Sequence, residues 1–144
     1  MPTIWTIGYE QTTMPAFLAA LQGAGVELVA DVRAIAASRR PGFAKNALAA
    51  NLAEAGIAYR HFRVLGTPPE GRAAARALDL PKLKRVYAGQ LELPEAMAAG
   101  AELAALAHER RVALLCYERA PGCCHRTLLR QAMLPDCEAV DLYP

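Results

Sequence analysis

The chain has 144 residues, is 54% apolar and 21% charged, and carries a formal net charge of +2. These values fit one globular domain with its own core and exclude a disordered chain. The small net charge disfavours nucleic acid as the main partner, and charged residues interrupt every apolar run before the roughly 18 residues of a membrane span.

The elements alternate. "TIWTIG" is a short β-rich run ending at Gly8. Thr12 or Thr13 can cap a helix beginning near Met14 and Pro15, with Phe17, Leu18 and Leu21 on one face. "ELVADVR" is a second buried strand, and the polar loop "AASRRPGF" leads into a helix, "AKNALAANLAEAG", stopped by Gly56. "IAYRHF" is the third strand and "RRVALLCYE" the fourth and most apolar. A helix "CHRTLLRQAML" and a last strand "CEAVDLY" complete the chain. Between strands three and four, the stretch from Gly66 to about Ala107 reads as a basic helical piece and a helix opened by Pro94, an excursion from the sheet and a candidate lid. Strands separated by helices predict a single α/β domain over 1–144, Rossmann-like and three-layered, with a mostly parallel sheet of about five strands.

In such sheets ligands bind beyond the carboxyl ends of the strands, where strand order reverses. A 3-2-1-4-5 order makes strands one and four neighbours and draws four strand ends together. The residues at those ends are Gly8, Tyr9 and Glu10; Asp31 and Arg33, followed by Ser38, Arg39 and Arg40; Tyr59 and His61; and Cys116, Tyr117 and Glu118. Asp31 and Arg33 read equally well as a structural ion pair, because a lone buried carboxylate is costly. Tyr59 and His61 read as packing and surface residues, and the cations from Arg72 to Arg85 as an exposed helix face.

The densest cluster is "LLCYERAPGCCHRTLLR". Zinc is excluded by spacing, since Cys116, Cys123, Cys124 and His125 offer no paired CxxC knuckles. A phosphatase-type loop from Cys124 to Arg130 is excluded because the segment between them reads as helix. What remains is a helix N-terminus near Cys124, which favours an anion and lowers a thiol's pKa. A buried cysteine acting as a small hydrophobe fits Cys124 as well. Glu118, at a strand end facing the crevice, is the best general acid or base. The four cysteines make a poor disulfide framework, which with the lack of a basic, cleavable leader predicts a reduced cytoplasmic setting.

These segments resemble the domain of unknown function 488 family. Its recurring pieces are matched by "TIGYE", "DVRAIAASRR", Tyr59 with Leu65-Gly66, and "LLCYERAPGCCHR". The sequence departs from the family pattern at Tyr9-Glu10, at Ala36 and at Thr67. The resemblance implies a compact α/β domain and groups Asp31, Arg33, Glu118, Cys124, His125 and Arg126 together, without implying an activity.

The expectation is an enzyme, a hydrolase or transferase, acting on a small anionic substrate that carries a phosphate or nucleotide. Glu118 and His125 would move protons and Cys124 would be a nucleophile. Gly8, Tyr9, Asp31, Arg33, Ser38, Arg39, Tyr59, Cys116 and Arg126 would surround the substrate, with Arg33 and Arg39 holding its anion. No cofactor or metal is expected, as no G-x-G-x-x-G loop is present. The alternative is a non-catalytic module that binds a ligand or nucleic acid through its arginines.

Overall fold

The computed structural model describes residues 2–118 and 125–144. Five parallel strands form one sheet: β1 (Thr3–Gly8), β2 (Leu28–Asp31), β3 (Ala58–His61), β4 (Val112–Cys116) and β5 (Glu138–Leu142). Helices α1 (Met14–Gly23) and α2 (Lys45–Glu54) precede β2 and β3. A 3-10 turn (Arg63–Leu65) and helices α3 (Pro69–Arg76), α4 (Leu80–Leu91) and α5 (Pro94–Glu109) fill the excursion before β4. Helix α6 (His125–Met133) leads to β5. No helix among the described residues is long and apolar enough to cross a membrane.

Strand side chains alternate between two apolar layers. Ile4, Leu28, Ala30, Val112 and Leu114 pack with Tyr87 and Leu91 of α4, Leu103 of α5 and Leu129 of α6. Ile7, Val29, Ala113 and Leu115 face Phe17 and Leu21 of α1 and Leu48 and Leu52 of α2. The central strand β4 is buried along its whole length, hence its unbroken apolar run.

The sheet order is β3-β2-β4-β1-β5. Strands one and four are neighbours, as expected, but β2 pairs with β4 and not with β1. The crossover from β1 therefore passes over β4, and the one from β4 passes over β1. Their directions diverge at this central pair, where the crevice of such a sheet opens. The register sharpens the point. Gly8 pairs with Cys116, and Asp31 stands opposite both Leu115 and His61. Four strands thus end in nearly one row.

The excursion holds three helices, not two. The basic stretch breaks after α3 because Leu78 adopts the left-handed conformation (φ 57°), closing α3 while Asp79 caps α4 by accepting from Lys82 N at 3.3 Å. At α1 the capping oxygen is that of Thr13, which accepts from Ala16 N.

Candidate functional site

Beyond the strand ends lies a cavity of about 520 Å³. Its floor comes from the loops after β2 and β4, with Arg33, Ala34, Ile35, Cys116 and Glu118, and from His125 at the start of α6. Glu10 and Tyr117 stand at the β1/β4 side, and Thr67, Arg72, Ala75, Arg76, Leu78 and Leu83 close it from the helical excursion.

Two glycines let the loops converge. A Cβ on Gly8 would lie 1.8 Å from the Glu118 carbonyl oxygen and 2.8 Å from Arg126 Nη1. One on Gly66 would lie 2.2 Å from Ala34 N. Only a residue without a side chain fits at either approach. The backbone of Tyr9 and Glu10 donates to Tyr117 O at 3.1 and 2.9 Å, joining the ends of β1 and β4.

Behind the floor sits a saturated ionic knot. Asp31 is fully buried and accepts from Arg33 Nε at 2.8 Å, Arg33 Nη2 at 2.7 Å, Arg33 N at 3.1 Å and the Tyr59 hydroxyl at 2.5 Å. Arg33 Nη1 donates to Phe43 O at 2.8 Å and to Tyr9 Oη at 3.2 Å. Tyr9 in turn stacks on Phe43, with ring centroids 4.7 Å apart. Burial pulls the guanidinium pKa down, but the Asp31 bonds and charge, helped by Tyr9, leave it raised overall. Burial and the Asp31 bond likewise raise the Tyr59 phenol. The motif "DVR" therefore folds its own pair, and Arg33 reaches the cavity with its charge compensated and four of its five N–H groups bonded.

Two histidines pin the loop that follows. His61 Nε2 lies 2.7 Å from Arg33 O, and His125 Nε2 lies 2.6 Å from Val32 O. A carbonyl partner assigns each Nε2 the proton. Burial pushes the His125 imidazole down to about 4, although the Val32 bond favours its charged form. Near neutral pH it is an uncharged anchor and a weak base, edge-on to Tyr87. Its Nδ1 is 3.6 Å from Cys116 Sγ.

Glu118 differs. It is half-buried, and burial raises its pKa, with the charge of Glu10 adding to the rise and that of Arg126 opposing it. Such a carboxyl can hold a proton and give it up. Cys116 is disulfide-bonded, contrary to the expectation from cysteine spacing, and its Sγ lies 3.0 Å from Glu118 Oε2. Arg126 is completely buried. Burial lowers its pKa, while Asp141 and Glu118 favour its charge.

Of the residues singled out in the sequence, the cavity brings together Arg33, Cys116, Glu118 and His125. Gly8, Tyr9, Asp31, Tyr59 and Arg126 build the layer behind it. Arg39 is exposed and lines none of this cavity. Ser38 accepts from Arg40 N at 3.1 Å, and Arg40 donates to Thr12 O, which holds the loop to α1. Cys124, with the anion site expected at the helix start beside it, lies outside the described residues. Tyr59 and His61 are anchors of the ionic knot and loop, not the packing and surface residues their pattern suggested.

The basic stretch is largely the exposed face expected: Arg76, Lys82, Lys84 and Arg85 are exposed and Arg72 is half-buried. Arg72 and Arg76 nonetheless line the cavity, with Thr67 and Glu118. Their spacing of four on one helix face was the available signal. Arg72 Nη1 is steadied by Thr67 O at 3.0 Å, and Gly71 of the same helix fits closely against the Thr67 methyl.

A family model described as Domain of unknown function DUF488 matches residues 13–133. The chain belongs to the DUF488 family. The match starts after β1 and ends with α6, so it takes in the ionic knot, α3 and Glu118 but not Gly8, Tyr9 or Glu10. No curated protein and no solved structure matches the chain.

Proposed function

We propose that this DUF488 protein is a hydrolase or transferase acting on a small molecule with an apolar body and a phosphate-type anionic group. One observation carries the reading. Arg72 and Arg76 line the same cavity as Glu118, a carboxyl whose pKa burial raises, and this cavity of nucleotide size also presents Ile35, Ala75, Leu78 and Leu83. The arginines, rather than Arg33, hold the anion, since the fork of the guanidinium suits phosphate oxygens. The apolar side chains take the body of the ligand. Glu118 gives a proton to the leaving oxygen as the phosphorus–oxygen bond breaks, and recovers one from the attacking water or acceptor hydroxyl. Arg33 and the histidine anchors keep the floor rigid.

The reading is tested by turnover of a panel of phosphate monoesters. Glu118→Gln should lower kcat by about 100-fold or more with little change in KM, and Arg72→Ala should mainly raise KM. If both variants turn over substrate as the parent does, the assignment is wrong. Tight binding without turnover in parent and variants would favour a non-catalytic module.

A further inference from the structure

A second cavity, of about 570 Å³, adjoins the first. The two share Ala34, Ile35, Thr67 and Arg72, so they are lobes of one trough divided along this line. Gly66, in the second lobe, lies directly on the Ala34 backbone, where no side chain fits. The second lobe adds Arg63 and Gln90. Gln90 Nε2 donates to Val64 O at 2.8 Å and Tyr87 Oη to Leu65 O at 2.6 Å, so α4 fixes the turn that carries Arg63. Arg76 thus belongs to the first lobe, Arg63 to the second, and Arg72 to both. Neither Arg63 nor Arg76 makes a salt bridge among the described residues.

We infer that the second lobe is a subsite for a second anionic group of the same ligand, and that the ligand is a small molecule with two phosphates separated by a nucleoside-sized body. The inference rests on the reading of the first lobe as a phosphate site. Three cations distributed over two lobes, one at their junction, match separated charges better than one compact anion. Each lobe is large enough for a group of that size. Adjacent phosphates, as in a nucleoside diphosphate, would leave Arg63 unused.

The experiment is calorimetric titration of the whole protein with three probes. These are a nucleoside monophosphate, the corresponding diphosphate with adjacent phosphates, and a nucleoside bisphosphate whose phosphates flank the sugar. The bisphosphate should bind about tenfold tighter than either of the others, as expected for one added charge-assisted contact. Arg63→Ala, a surface change that leaves folding intact, should erase that advantage and leave monophosphate affinity unchanged. Arg72→Ala should weaken all three. Equal affinities for diphosphate and bisphosphate, or an advantage that survives Arg63→Ala, would overturn the second subsite while leaving the first standing. Failure of all three probes to bind would overturn both.

Discussion

Asp31 and Arg33 illustrate how a conspicuous charged pair can be structural. Each largely satisfies the other inside the protein, with four of the five Arg33 N–H groups bonded to Asp31, Phe43 and Tyr9. Removing one partner of such a pair strands the other, which costs about 3–5 kcal/mol. Asp31→Ala should lower unfolding free energy in urea by that amount, whereas Tyr59→Phe, which removes only one donor to the carboxylate, should cost about 1.5 kcal/mol. If Asp31→Ala is as stable as the parent, the knot is not the anchor described. His125 gives a pH signature of its own. Unfolded, it takes up a proton near pH 6.5, but folded only near 4. Between those values the unfolded chain binds more protons, so stability falls on acidification, by on the order of 3 kcal/mol. Arg126 adds to this effect and Asp31 opposes it. Glu118 works the other way, because its raised pKa contributes stability at acid pH that is lost as pH rises through the folded value. Urea midpoints between pH 7 and 4.5 should therefore fall, and His125→Gln should flatten the slope. A slope unchanged by that substitution would contradict the buried neutral imidazole.

At the scale of elements, the junction between α3 and α4 decides the shape of the cavity. Leu78 holds a left-handed conformation that costs a residue with a side chain about 1–2 kcal/mol, and its side chain is 68% exposed. Leu78→Gly should thus raise stability by up to about 1 kcal/mol in thermal unfolding, since the glycine's greater freedom when unfolded offsets part of the gain. A marked loss would mean that Leu78 packs in a way its exposure does not suggest. Gly66→Ala should do the opposite. With Ala34 N 2.2 Å from the added methyl, the loops after β2 and β3 must separate, at a cost of about 1–3 kcal/mol. These elements also show what was legible in the sequence. All five strands could be read from β-rich and apolar runs bounded by Gly, Asp or polar loops. The break at Leu78 could not, because leucine gives no signal for a left-handed turn. The pairing of β2 with β4 was hidden as well, since a buried parallel strand reads alike at either neighbouring position.

For the whole molecule, the parallel sheet sets out the strand ends in a row, and α3 and α4 of the excursion line the cavity beyond them. The floor of the site was legible because its residues follow strands directly: Cys116, Glu118 and Arg33 stand where a sheet of this kind binds ligands. The wall was not, because whether Arg72 and Arg76 face water or a cavity depends on how α3 packs on α4 and Thr67, contacts far from any strand motif. The proposed function requires a ligand anion between that helix and Glu118. Nuclear magnetic resonance titration of the isotopically labelled protein with phenyl phosphate would locate that anion. Amide shifts should cluster at Ile35, Thr67, Arg72 to Leu78, Tyr117 and Glu118, and should vanish in the Arg72→Ala/Arg76→Ala double variant. Shifts centred on Ser38 to Arg40, or shifts that persist unchanged in the double variant, would contradict it.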